Sequence, residues 1–93
     1  MTLRMVVRIE IYTTRLCAAC VIAKELLTRH GIEFRDVDVS DNPELRRDMA
    51  KRASGDRSVP QIFADGHHVG DLEKLEVLIS AGQLASVFAA IAR

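Results

Sequence analysis

The sequence predicts an α/β fold: a small four-stranded mixed sheet with helices against both faces, in the order β-α-β-α-β-β-α-α. Three observations predict it. Two runs rich in β-forming residues, near 5–12 and 32–39, bracket a segment with helical spacing, which makes a right-handed βαβ unit with parallel strands. Two later β runs are joined by Asp65-Gly66, the signature of a tight antiparallel hairpin. The remaining segments carry apolar residues at a spacing of three to four, between residues that start and stop helices. With 93 residues, the chain is expected to form one domain over 1–93.

The first strand is expected over Met5 to Tyr12, where β-branched residues dominate. A polar link, Thr13 to Leu16, leads to a helix that begins at Ala18. Ile22, Leu26 and Leu27 supply its apolar stripe, and Gly31 its C-terminal stop. Ile32 to Val39 alternates apolar and polar side chains as a second strand does. Asn42 as N-cap, Pro43 at the first helical position and Glu44 in the first turn open a second helix, with Leu45 and Met49 facing inward. After the hairpin, Asp71 can cap a third helix to about Ser80 whose apolar residues are Leu72, Leu75, Val77, Leu78 and Ile79. Gly82 closes it, and Gln83 to Ala92 form the last helix, with Leu84, Val87, Phe88 and Ile91 on one face.

Composition narrows the function. Lys plus Arg and Asp plus Glu both number 13, so no net field draws the protein to nucleic acid or to an acidic membrane surface. No apolar run approaches the roughly 20 residues that span a bilayer, and arginines interrupt the first ten residues where a signal peptide needs a continuous apolar stretch. The expected location is the cytoplasm, where thiols are kept reduced.

The two cysteines, Cys17 and Cys20, stand three apart where the first helix begins. A structural zinc site needs four ligands, and His30, His67 and His68 lack the spacing that would complete one, so no metal is expected. A static disulfide over so short a loop stabilises least. Thiol chemistry has a physical basis. Cys17 lies at the positive end of the helix, where unpaired N–H groups favour a thiolate, and Arg15 can add to the effect. Cys20 is one turn further in and more buried. Cys17 is then the attacking sulfur and Cys20 the resolving one.

The C-x-x-C pair after the first strand of a βαβ unit, with "SVPQIF" ahead of a later strand and "DGHHVG" after it, resembles the glutaredoxin family of the thioredoxin-like fold. The likeness runs over nearly the whole chain. It implies a glutathione-dependent thiol-disulfide oxidoreductase, with glutathione as co-substrate, no permanently bound cofactor, and disulfide-bonded or glutathionylated proteins as partners. A monomer is expected. The resemblance also implies a cis Val59–Pro60 bond, with Val59 offering backbone hydrogen bonds to the bound thiol peptide and Ser58 in place of the motif's threonine. Gly70, Asp71, Leu72 and Glu73 align with the segment that grips the γ-glutamyl group, Gly70 as a match and Glu73 in place of an aspartate.

Ala18 and Ala19 stand where the commonest dithiol motif has proline and tyrosine, and Thr14 stands at a position often held by lysine. Arg15 is left as the nearest cation, and Arg57, three residues before Pro60, is the better candidate for a carboxylate partner. Arg46, Arg47, Lys51 and Arg52 read as the solvated side of a helix, His67 and His68 as edge residues, and Tyr12 as half-buried packing with its hydroxyl in water. Two alternatives share the residues: a redoxin of this shape reduced by thioredoxin reductase, and a carrier in which two chains bridge an iron–sulfur cluster through Cys17 and two glutathiones.

Overall fold

The structure, a computed structural model, describes residues 7–91. Its elements are β1 (Ile9–Thr13), α1 (Ala18–Arg29), β2 (Arg35–Asp38), α2 (Pro43–Arg52), β3 (Gln61–Ala64), β4 (His67–Gly70), α3 (Leu72–Ser80) and α4 (Leu84–Ile91). Met5 and Val6 of the first expected strand, and Ala92 of the last expected helix, lie outside the described residues.

The four strands form one mixed sheet in the order β2-β1-β3-β4. β1 runs parallel to β2 and antiparallel to β3, and β3 is antiparallel to β4. Side chains alternate between the faces of a sheet, and here the alternation builds two cores. Ile9 and Ile11 on β1, with Ile62 and Ala64 on β3, pack against α1, α3 and α4 through Ala23, Leu27, Leu75, Leu78, Leu84 and Phe88. Tyr12 and Phe63 point the other way and meet Met49 and Ala53 from the α2 side.

β2 begins later than the alternation suggests. Gly31, at φ +71°, ends α1 in a Schellman arrangement: its N–H bonds the Thr28 carbonyl at 3.0 Å, and the Ile32 N–H bonds the Leu27 carbonyl at 2.9 Å. Ile32 and Phe34 pack against the larger core but precede the paired residues. Two apolar positions are also corrected. Ile22 and Val77, expected in helix stripes, are exposed. The inward face of α1 is Cys20, Ala23 and the expected Leu27, and the small side chains of Cys20 and Ala23 let the helix lie close to the sheet.

Asn42 and Asp71 cap α2 and α3, accepting the Leu45 and Lys74 backbone N–H groups, each at 3.0 Å. Asp65 and Gly66 form the hairpin turn between β3 and β4, and Ala64 pairs with His67 across it. Among the described residues no single helix is long and apolar enough to cross a membrane.

Candidate active site

Cys17 is the N-cap of α1, in an extended backbone conformation with φ −146° and ψ 98°. Its carbonyl accepts the Val21 N–H, and its Sγ accepts the Cys20 N–H at 3.0 Å. The sulfur thus takes the place that a serine or aspartate oxygen fills in an ordinary helix cap. It sits where the amide dipoles favour negative charge. Cys17 and Cys20 are joined as a disulfide, with Cα atoms 5.2 Å apart. Cys17 is partly open to solvent, whereas Cys20 is 1% exposed.

Across from the pair lies the loop that precedes β3. The Val59–Pro60 peptide is cis. The Val59 carbonyl oxygen is 3.8 Å from Cys17 Sγ. Pro60 is buried and Val59 half-buried, so this segment forms a wall beside the cysteine and Ser58 faces outward. Ser58 is committed to local bonds: its N–H and hydroxyl both donate to Asp56, at 2.9 and 2.6 Å. The Ser58 hydroxyl, then its backbone N–H, hold the Asp56 carboxyl below its ordinary range.

Arg15 does not stand as a free cation. Its guanidinium makes a forked contact with Asp41, at 2.5 and 3.1 Å, and its backbone N–H donates to Ser40. The hydrogen bond and charge of Asp41 raise the Arg15 pKa, and Arg15 in turn lowers that of Asp41. Thr14, Arg15, Leu16, Ser40 and Arg46 line an open groove of about 270 Å³. Leu16, directly before the cysteine, is 99% exposed. Arg57 is exposed, and its carbonyl accepts two bonds from the Arg46 guanidinium, at 3.1 and 3.0 Å.

The second expected contact segment follows β4. Gly70 is buried at φ +148°, and a Cβ there would lie 2.6 Å from the Lys74 Cβ. Asp71 caps α3, Leu72 is half-buried against the larger core, and Glu73 is exposed in the first turn.

A family model, Glutaredoxin, matches residues 9–69. A glutaredoxin of Pseudomonas aeruginosa is 40% identical over 82 residues, covering 88% of this chain and 96% of the relative. The chain belongs to the glutaredoxin family. Glutaredoxin 3 of Escherichia coli is 41% identical over 76 residues, or 82% of this chain and 90% of that one. The solution structure of glutaredoxin from Brucella melitensis superposes with a TM-score of 0.77 at 43% identity, covering 87% of each chain. The protein is thus a dithiol glutaredoxin with the thioredoxin-like fold, a thiol-disulfide oxidoreductase whose redox-active element is the Cys17–Cys20 pair.

Two contacts near the glutaredoxin site escape a reading of the sequence. Tyr12, expected to keep its hydroxyl in water, is buried edge-on against Phe63 at 5.2 Å, and its hydroxyl accepts the Arg52 guanidinium at 2.6 Å. Gln61, in the middle of the apolar run Val59 to Ala64, is fully buried and bonds His68 at 2.6 Å. The visible signal for the second was the lone polar residue in a buried strand.

Proposed function

We propose that this glutaredoxin is glutathione-dependent and reduces glutathione mixed disulfides and protein disulfides. The observation that carries the reading is the Cys17 sulfur at the amino tip of α1, accepting the Cys20 N–H and facing the Val59 carbonyl. A thiolate there is stabilised and partly open, two conditions for a nucleophilic cysteine.

In the forward reaction Cys17 thiolate attacks the glutathione sulfur of a protein–glutathione disulfide. A Cys17–glutathione disulfide forms, and the protein thiolate leaves and takes up a proton. A second glutathione thiolate then attacks the glutathione sulfur on Cys17, releasing oxidised glutathione and restoring Cys17 thiolate. With a protein disulfide, Cys17 first forms a mixed disulfide with one substrate sulfur. Cys20 then loses its proton and attacks Cys17, which frees the reduced protein and closes the Cys17–Cys20 bond. Two glutathiones reopen it.

In this reading Val59 presents its backbone to the incoming thiol peptide beside Pro60, while Ser58 fixes the loop. Arg15, which lines the groove, and the exposed Arg57 are the cations offered to the carboxylates of glutathione. Gly70, Asp71, Leu72 and Glu73 are assigned to the γ-glutamyl end of the tripeptide, where the amino end of α3 suits a carboxylate. All of these groups come from one chain, which suits a monomer, and the exchange needs the reduced thiol pool of the cytoplasm.

The test is a coupled assay with glutathione, glutathione reductase and NADPH, on a glutathionylated peptide. Turnover is expected, with Cys17→Ser inactive and Cys20→Ser active on that substrate. Absence of turnover there, with reduction through thioredoxin reductase instead, reverses the reading.

A further inference from the structure

Behind the loop that faces Cys17 a chain of polar contacts runs from Asp56 and Ser58 to two residues that the proposed chemistry does not use, Gln61 and His68. Asp56 Oδ1 takes the Ser58 hydroxyl at 2.6 Å, Gln61 Nε2 reaches Ser58 Oγ at 3.3 Å, and His68 Nε2 lies 2.6 Å from Gln61 Oε1. Its middle member is fully buried and its ends reach water. Gln61 shares the α2-side face of the sheet with Tyr12, opposite it on β1, and with Phe63, whose ring is 5.2 Å from that of His68.

Proton inventory fixes the direction of every bond. Asp56 is held as a carboxylate and only accepts. Ser58 must therefore give it the one hydroxyl proton, which leaves Ser58 Oγ able only to accept from Gln61. The carboxamide nitrogen of Gln61 then faces Ser58, so Oε1 faces His68, and His68 must carry its proton on Nε2. Any other arrangement leaves a buried carboxamide atom without a partner, which is costly.

Two bonds to Asp56 hold Ser58 within the loop, and the chain matters because Gln61 ties that loop to the buried sheet. Residues 54–58 are exposed, and Ser54 and Gly55 have positive φ. On one side Arg46 holds the Arg57 carbonyl; on the other, Gln61 and Asp56 hold Ser58. Val59 is the next residue.

We propose that His68 is a positioning residue: through Gln61 it fixes Ser58, and with it the Val59 backbone that faces Cys17. Its effect on turnover rests on the reading that Val59 holds the incoming thiol peptide, whereas its effect on the loop does not.

The test uses the reduced full chain labelled with 15N. The wild type is expected to show His68 as the Nε2–H tautomer with a hydrogen-bonded ring proton. His68→Phe keeps a ring against Phe63 but removes the donor. It is expected to shift the Val59 amide resonance and to raise KM for a glutathionylated peptide about three- to tenfold, the loss of one net hydrogen bond, with kcat within twofold. His68→Gln, whose carboxamide nitrogen can reach the place of Nε2, is expected to return KM to within twofold of wild type. An Nδ1–H tautomer, an unmoved Val59 amide, or a wild-type KM in active His68→Phe overturns the proposal; so does a KM increase that His68→Gln fails to rescue. If the wild type does not turn over the glutathionylated peptide at all, the substrate reading fails, and the tautomer and the Val59 amide still decide the role of His68.

Discussion

Cys17 Sγ accepts a 3.0 Å hydrogen bond from the backbone N–H of Cys20, the residue to which it is also covalently joined. One residue thus offers Cys17 both an amide donor and a second sulfur. The amide serves whichever charge the sulfur carries, and most when it is a thiolate, because a donor to an anion makes the stronger bond.

The first prediction concerns that thiolate. In the reduced protein, the rate of Cys17 alkylation plotted against pH is expected to have its midpoint well below that of a free cysteine. Cys20→Ser keeps the donating N–H and is expected to keep most of the depression. A midpoint like that of an unstructured thiol in both proteins removes the basis for Cys17 as nucleophile.

A second prediction tests the contacts of Tyr12. The Arg52 Cζ lies 4.6 Å from the Phe63 ring centre and 5.3 Å from that of Tyr12, while its Nη2 bonds the Tyr12 hydroxyl. Tyr12→Phe and Arg52→Ala are each expected to cost about 1 kcal/mol in urea unfolding. The double variant should cost less than their sum, because both remove the same hydrogen bond.

Two glycines separate backbone strain from steric clash. Gly70→Ala meets both a positive φ and the Lys74 Cβ, and is expected to lose about 2 kcal/mol or more. Gly55→Ala, at φ +91° with open space around it, faces strain alone and is expected to lose about 1 kcal/mol. Thermal melts of the two variants check the order.

Acid titration bears on the loop before Val59. The Asp56 carboxyl titrates below its ordinary value of 3.8, because the Ser58 hydroxyl and then its backbone N–H bond the charged form. Its folded pKa lies below its unfolded one. The stability it contributes is thus fully present above the unfolded value and is lost as pH falls through the folded one. Asp56→Asn is expected to be less stable than the wild type at pH 6, with the gap closing as pH drops below about 3.8. Urea midpoints at several pH values measure it, and a constant gap contradicts the assignment.

What could be read from the sequence was local. Asn42-Pro43, Asp71 and Gly31 mark helix ends through their own backbone chemistry, Asp65-Gly66 marks a turn for the same reason, and Cys17 is placed by the helix that follows it. The misreadings concern phase and distance. Periodicity shows that α1 has an apolar stripe but not which rotation faces the sheet, so Ile22 reads as part of the stripe and Ala23 does not, whereas the burial of Cys20 and Leu27 is as expected. Arg15 with Asp41, Tyr12 with Arg52, and Gln61 with His68 meet only after folding, 26, 40 and 7 residues apart. Charge and polarity alone do not name the partners in those pairs, although Gln61 stands out as the lone polar residue of a buried strand. The bonds among residues 56–58, by contrast, are short-range and of a kind that Asp-x-Ser sequences favour.

The near-complete enclosure of one sulfur has a practical corollary. After reduction, a bulky maleimide should add to a single position while the fold persists, and a second equivalent should enter only once the chain is denatured. An adduct count by mass spectrometry would then serve as a direct gauge of native structure in any variant that keeps both thiols.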